Sequence, residues 1–223
     1  ASAGWRTGLK ISEPAPALAL MPWELLKDPA EFTHATLLPA ATFCILPPTA
    51  PHAPVSLADG WPLRILVIKG AEDDALAGLA DREGEGIHHA WTDPRDAWKD
   101  RRCDVVVREL EPRGKVALRD VIREFRPHIL HFSGHGLPGE LLFKPGKWKW
   151  TLQDIAGAFG GGVPLPRLVW LNACQTAANA ETREQAHLSI QACFAKLGVP
   201  AVVSMKGNVD SRMAVELARA FYE

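Results

Sequence analysis

The chain has almost no net charge, few cysteines and no long apolar run. Its 25 basic and 26 acidic residues in a chain of 223 leave a formal charge of −1, which favours neither a nucleic-acid partner nor a membrane surface. No apolar run reaches the ~18–20 residues that a membrane helix needs, and the first residues lack a signal-peptide pattern. We therefore expect a cytoplasmic protein without nucleic-acid or membrane partners.

Cysteine and histidine usage gives no reason to expect a metal or a disulfide framework. The four cysteines are far apart and form no CxxC pair: Cys44, Cys103, Cys174 and Cys193. His128 and His131 lie at an odd separation on a predicted strand, so their side chains should face opposite sides of the sheet and not converge with His135 on one ion. We expect no metal, and we expect His131 to be a hydrogen-bonded core residue behind the site.

Proline divides the chain into two regions. Ten of the 18 prolines lie before residue 63, and proline disfavours long regular elements. Residues 1–60 are therefore predicted to form an arm packed on a body of residues 61–223, with one short helix near Met21–Leu26. The last helical pattern is unfinished at Glu223, which indicates a piece of a longer polypeptide.

From residue 63 onward, strand and helix patterns alternate. The predicted strands are 63–68, 104–110, 128–133, 167–172 and 200–205. The predicted helices are 71–82, 115–126, 152–159, 188–197 and 209–221. The glycines of 83–86 are predicted to end the first helix, and Thr151 is the predicted N-cap of the third. A predicted hairpin joins 140–143 to 148–150. Such alternation predicts an α/β fold, a mostly parallel central sheet with helices on both faces.

Two of the predicted strands lead into residues with reactive side chains, a histidine and a cysteine. One strand leads into Ser133-Gly134-His135-Gly136, and another leads into Asn172-Ala173-Cys174-Gln175. Ligands of open parallel sheets bind outside the carboxyl ends of the strands. A cysteine beside a histidine forms an activated thiolate, and the backbone N–H groups of Gly136 and Cys174 could hold an oxyanion.

These blocks resemble the CHAT family, which belongs to the caspase, separase and gingipain group of cysteine peptidases. The matching residues are 126–136, 168–176 and 197–205, together with 22–26 and 209–223. The resemblance implies a caspase-like fold, peptide-bond hydrolysis of a protein substrate by His135 and Cys174, and no cofactor. Relatives are often fused to repeat or regulatory domains, and several serve bacterial (antiviral) defence or programmed cell death. A regulatory domain or partner outside this chain is therefore implied.

A second cysteine carries a more literal caspase motif. Caspases have Gln-Ala-Cys at the nucleophile, and this order occurs at Gln191-Ala192-Cys193 but not at Cys174, where Asn172 replaces the glutamine. Cys193 lies inside the predicted helix 188–197, where it should pack as a small apolar group. We reject it as the nucleophile, and the caspase preference for aspartate is not carried over.

The specificity pocket and the activity itself leave alternatives open. The pocket walls should include Asn172, the loop after the first strand with Asp73, and Met205 and Lys206 after the fifth strand. Because the charges conflict, we expect the uncharged residues to select a neutral or apolar P1 side chain. A catalytically idle, caspase-like interaction module and a small-molecule cysteine hydrolase are the competing interpretations.

Overall fold

A computed structural model gives the fold for most of the body and for two short pieces of the arm. It describes residues 6–10, 42–46, 62–70, 78–92, 105–137, 139–143, 148–173, 190–204 and 211–222. The predicted helix at Met21–Leu26 lies outside these residues. In the arm, strand β1 (Arg6–Lys10) pairs in parallel with β2 (Thr42–Leu46), two short elements that the proline content did not predict.

Five parallel strands form the central sheet, in the order β10-β9-β5-β3-β4. They are β3 (Leu63–Lys69), β4 (Val105–Leu110), β5 (Ile129–Ser133), β9 (Leu168–Asn172) and β10 (Ala201–Ser204). All five predicted strands are confirmed. Strands β5 and β3 lie inside the sheet, and their continuous apolar sequences are typical of strands buried on both faces.

Five helices are described, and they cover both faces of the sheet. They are α1 (Leu79–Thr92), α2 (Lys115–Phe125), α3 (Leu152–Ala158), α4 (Ile190–Leu197) and α5 (Ser211–Tyr222). The predicted α/β architecture with helices on both faces is confirmed. None of the helices in the described ranges has the length and apolar character to cross a membrane.

The predicted end of the first helix was wrong. Helix α1 continues through Glu83-Gly84-Glu85-Gly86 to Thr92 instead of stopping there. The reason is packing, because Glu83 and Ile87 are buried against the sheet. A Cβ atom on Gly84 would lie 2.9 Å from the carboxyl carbon of Glu109, so this glycine allows a close approach of helix and strand and does not end the helix.

A small antiparallel sheet follows β5. It contains β6 (Gly136–Leu137), β7 (Glu140–Phe143) and β8 (Trp148–Thr151). The predicted hairpin is confirmed, whereas the short strand β6 was not predicted. Thr151 caps α3, as predicted: its hydroxyl accepts the N–H of Asp154, and the Asp154 carboxylate accepts the N–H of Thr151.

The two faces of the central sheet differ in chemistry. We call one the apolar face; it packs on α2, α3 and α4 and consists of Leu66, Ile68, Leu130, Phe132, Val169 and Leu171. We call the other the polar face; it lies under α1 and α5 and includes Val67, His131, Trp170 and Asn172, with Glu83 and Tyr222 from the helices. Both faces are buried, but the polar face holds ionisable groups away from water.

Candidate active site at the ends of strands β5 and β9

The two strands that lead to the predicted catalytic residues are direct neighbours. Strands β5 and β9 pair in parallel, with Ser133 opposite Asn172. Past the last pair, the N–H of Gly134 donates to the carbonyl oxygen of Asn172 over 3.1 Å. His135 follows Ser133 by two residues, and Cys174 follows Asn172 by two residues. The ends of the two strands that precede His135 and Cys174 therefore lie side by side at one edge of the sheet.

The backbone of His135 is held by the hairpin. Its carbonyl oxygen accepts the N–H of Leu142 over 3.0 Å, and its side chain is half-buried at the start of the small sheet. The preceding Gly134 has a φ of 154°, which side chains disfavour and glycine tolerates. The histidine thus sits on a turn that the flanking glycine permits, anchored from the β7 side.

The N–H of Gly136 takes no part in the β6–β7 ladder. Gly136 lies opposite Leu141, and the bond from Leu142 N–H to the His135 carbonyl flanks this pair. In an antiparallel ladder, a pair flanked in this way is of the non-hydrogen-bonded kind, and its own N–H groups point away from the partner strand. Within the small sheet, the Gly136 N–H is therefore directed away from β7.

Four residues proposed for the site lie outside the described residues. They are Cys174, Asp73, Met205 and Lys206. The chain is described up to Ala173, whose side chain is 3% exposed and belongs to the core of the apolar face. The residue immediately before Cys174 is therefore packed into the body.

Asn172 is held by a residue that the sequence reasoning missed. The side chain of Asn172 is buried, and its Nδ2 donates to Oε1 of Glu83 on α1 over 2.6 Å. The sequence places Glu83 in the predicted helix stop at 83–86. Its spacing of four residues from Ile87, another buried residue of the same helix face, is the signal that could have found it. Asn172 thus lies at the strand end as predicted, with its amide nitrogen turned toward a carboxylate.

His131 occupies the centre of a buried polar cluster, as predicted for a core residue behind the site. It is fully buried, and its Nδ1 shares a hydrogen bond with the Tyr222 hydroxyl over 3.1 Å. Its Nε2 lies 3.0 Å from Glu83 Oε1, without the geometry of a hydrogen bond. The ring also stacks on Trp170. Burial, and then the negative charge of Glu83, raise the pKa of Tyr222.

Lys69, at the end of β3, already has two carboxylate partners. Its Nζ lies 2.5 Å from both Asp81 and Glu109. Burial lowers the pKa of this ammonium, but the hydrogen bonds to Asp81 and Glu109 outweigh burial and raise the pKa above its ordinary value. The positive charge at this strand end is therefore compensated within the protein.

Cys193 has the environment of a structural cysteine. It lies in α4, and its Sγ is 3.7 Å from the carbonyl oxygen of Leu152, to which the thiol donates. Burial raises the pKa of the thiol, and a raised pKa suppresses the reactive thiolate. In the part of the chain that the structure describes, no group of three or more histidine, cysteine and acidic side chains could hold a metal ion.

The comparison with protein families agrees with this geometry. The α/β fold, with its five-stranded parallel sheet covered by helices, is consistent with a caspase-like fold. The family model of the CHAT domain matches residues 6–223. The chain belongs to the CHAT domain family, which is linked to caspase-like cysteine peptidases. A comparison with curated proteins finds no match to this chain.

Proposed function

We propose that this protein is a cysteine endopeptidase in which Cys174 is the nucleophile and His135 is the acid–base partner. The observation that carries the proposal is the register of β5 and β9, with Ser133 opposite Asn172 and the Gly134 N–H bonded to the Asn172 carbonyl. His135 follows Ser133 by two positions, and Cys174 follows Asn172 by two positions. The same short length of chain therefore separates each catalytic residue from this pair of hydrogen-bonded strand ends. Membership of the CHAT family supports the same chemistry.

The reaction would proceed by two acyl transfers. His135 takes the proton of the Cys174 thiol, and the thiolate sulfur attacks the carbonyl carbon of the scissile peptide bond. The tetrahedral intermediate collapses as the carbon–nitrogen bond breaks, and His135 gives its proton to the departing amine. Water then attacks the thioester, with His135 taking its proton, and the acid product leaves as the sulfur is released.

Backbone N–H groups of Gly136 and Cys174 would hold the oxyanion of each intermediate. The N–H of Gly136 is directed away from the β7 strand, which leaves it unused by the β6–β7 ladder. One such donor contributes about 3–4 kcal/mol to the stability of the transition state in related chemistry. A position at the first residue of a strand also keeps this donor fixed during the reaction.

For the specificity pocket we propose a neutral or apolar P1 side chain, selected by Asn172 and Met205. An acidic P1 residue would need an available cation at the strand ends. Lys69 does not offer one, because Asp81 and Glu109 compensate its charge. Asp73 and Lys206 are the other candidates for the pocket rim; charges of opposite sign there would favour neither an acidic nor a basic residue. A buried charge without a partner costs several kcal/mol.

The biological setting of the proposal is a regulated protease. We propose that it acts in the cytoplasm on a protein substrate, under control of a regulatory domain or partner protein, in bacterial defence or programmed cell death. The family membership supports this setting.

The test of the proposed function is cleavage of a peptide library by the purified chain and three single variants. Cys174→Ala and His135→Ala should reduce cleavage to background while the melting temperature stays close to that of the unsubstituted chain. Cys193→Ala is the matched cysteine control, and it should retain cleavage because that thiol is half-buried in α4, donates to the Leu152 carbonyl oxygen and has a raised pKa. Full cleavage by Cys174→Ala would refute the proposal, and absence of any cleavage in the unsubstituted chain under activating conditions would favour an idle interaction module.

A further inference from the structure

We propose that Glu83 is a positioning residue for the nucleophile, acting through Asn172. The inference rests on the proposed function, because it takes Cys174 as the nucleophile. Glu83 is not expected to touch the substrate. Its role is to hold the side chain of Asn172, and with it the end of β9, the strand that leads to Cys174.

The Glu83 carboxylate is buried where an apolar side chain would be expected. Its side chain is 1% exposed, and α1 presents it to the same interior that holds Ile87. Ionisable groups are almost never buried to this extent unless they are paired. A leucine at this position would satisfy packing alone, so the carboxylate points to a requirement other than core formation.

The Glu83 carboxylate contacts the side chain of Asn172 directly. Oε1 of Glu83 accepts from Asn172 Nδ2 over 2.6 Å, which is shorter than an ordinary N–H···O bond, and hydrogen bonds to an ionised acceptor are the shorter and stronger ones. The same oxygen lies 3.0 Å from His131 Nε2. Among the described residues, the other carboxylate oxygen has no hydrogen-bond partner. The carboxylate therefore directs its one strong hydrogen bond at the end of β9.

Asn172 is held from two directions. Its side chain is fixed to α1 by Glu83, and its carbonyl oxygen is fixed to the His135 segment by the N–H of Gly134, 3.1 Å away. If the side-chain bond is lost, the strand end keeps only the backbone contact. A displacement of about 1 Å between reacting groups can lower the rate about a hundredfold.

His131 and Tyr222 add support at the same carboxylate oxygen that accepts from Asn172. The His131 ring contacts Oε1 of Glu83 with one nitrogen and the Tyr222 hydroxyl with the other. It is also confined by stacking on Trp170. The ring limits the movement of Glu83, so the carboxylate is itself held in place while it holds Asn172.

The test compares two substitutions at Glu83. Glu83→Gln keeps an oxygen that can accept from Asn172, whereas Glu83→Ala removes the acceptor. We expect kcat to fall about thirtyfold to a hundredfold in Glu83→Ala with KM nearly unchanged, and to fall less than about fivefold in Glu83→Gln. Glu85→Ala and Glu85→Gln, on the exposed side of the same helix, are the matched controls and should leave kcat unchanged.

A double-mutant cycle tests whether the effect passes through Asn172. If Glu83 acts by holding that side chain, Glu83→Ala combined with Asn172→Ala should be no slower than Asn172→Ala alone. Independent effects would multiply instead, and a multiplied loss would overturn the inference. All variants are compared well below their melting temperatures, so that a loss of folded protein is not counted as a loss of kcat.

Alkylation of Cys174 separates this inference from the proposed function. Iodoacetamide labelling at neutral pH, followed by peptide mass spectrometry, reports the thiolate beside His135 without any turnover. We expect Cys174 labelling to slow about tenfold in Glu83→Ala and to recover in Glu83→Gln, whether or not the chain cleaves peptides. Equal labelling rates in Glu83→Ala and the unsubstituted chain would overturn the positioning role, whereas absent cleavage with altered labelling would refute only the peptidase.

Discussion

The apolar face and the polar face are two sides of the same strands, yet their side chains make different kinds of contact. On the apolar face, Phe132 and its neighbours pack on three helices and the hairpin, and the described core there is made of apolar side chains. On the polar face, His131, one residue away on the same strand, meets Glu83 and Tyr222. Adjacent residues of one strand point to opposite faces, so a single strand supplies both environments.

The difference between the two faces indicates that one face mainly stabilises the fold and the other mainly positions the residues of the candidate site. Apolar burial stabilises at about 25 cal/mol per Å² without a preferred direction. A buried hydrogen bond adds little net stability but constrains the direction of its partners. The polar face lies under the end of β9 that leads to Cys174. We infer that the apolar face holds the sheet together and that the polar face sets the geometry of the site.

The largest effect on stability is expected from Phe132→Ala on the apolar face. Phe132 is fully buried and makes an edge-to-face contact with Phe143. Removing the ring should lower the free energy of unfolding by about 4 kcal/mol, since both burial and packing are lost. Chemical denaturation measures this value. Val106→Ala, at a side chain that is 43% exposed on β4, is the control and should change it by less than about 1 kcal/mol.

A loss of less than about 1 kcal/mol in Phe132→Ala would contradict the assignment of stability to the apolar face. It would mean that the helices on this side can close over the missing ring, or that they contribute little to the folded state.

The second largest effect is expected from His131→Leu on the polar face. This substitution leaves the buried Glu83 carboxylate without the imidazole and leaves Tyr222 without its hydrogen-bond partner. We expect a loss of about 3 kcal/mol, because removing one partner exposes the full desolvation penalty of the other. The double variant His131→Leu with Glu83→Leu removes the charge as well and should be about 1–2 kcal/mol more stable than the single variant.

The double variant is also the sharpest test of the comparison between the faces. Its stability should recover in part, but its cleavage activity should not, because Asn172 has lost its acceptor. If both recover together, the polar face contributes to stability alone, and the separation of the two tasks is wrong.

The sequence was sufficient for the sheet but not for the polar face. Strands such as β3 and β9 are long apolar runs, and such runs predict buried strands whatever covers them. The burial of His131 was also predicted, since a histidine within such a run faces the core. Glu83 was missed because glycines follow it, and local composition there favours a helix end. Only the later segment with Ile87 continues the helical spacing, and the contact with Asn172 spans 89 residues of sequence.

The third prediction concerns Tyr222, the only tyrosine in the chain. Burial and the Glu83 charge raise the pKa of its phenol above the ordinary value of 10.0. Above about pH 10 the unfolded chain loses this proton and the folded chain keeps it. The free energy of unfolding should therefore fall as pH rises through this range, by up to about 1.4 kcal/mol per pH unit.

The ultraviolet absorbance of tyrosinate reports this single residue directly. In the folded chain, ionisation should be delayed relative to the chain in denaturant. Lys69 also has a raised pKa and contributes in the same direction, so the contribution of the phenol is the difference between the unsubstituted chain and Tyr222→Phe. Ordinary titration of the folded chain near pH 10 would show that Tyr222 is open to water and that the polar face is not sealed.

The smallest effect is expected at the N-terminus of α3, on the apolar side of the sheet. The Thr151 hydroxyl lies 2.7 Å from the Asp154 carboxylate and accepts the Asp154 N–H, while Lys115 lies 2.7 Å from the same carboxylate. Thr151→Ala should lower the free energy of unfolding by about 1 kcal/mol, which is typical of a lost N-cap. Cleavage activity should not change, because this cap supports a helix of the apolar face and not the site.

The same cap has a pH signature. Burial raises the pKa of Asp154, but the hydrogen bonds from Lys115 and Thr151 outweigh burial and lower the pKa below its ordinary value of 3.8. A lowered pKa in the folded state means that the stabilisation is complete above the ordinary value and disappears as pH falls through the folded-state value. The stability difference between the unsubstituted chain and Thr151→Ala should therefore shrink in acid, as followed by denaturation at a series of pH values. A stability difference that stays constant as the pH falls would show that the carboxylate does not take part in the cap.

A loss of cleavage in Thr151→Ala at neutral pH would show that the apolar face also sets the geometry of the site.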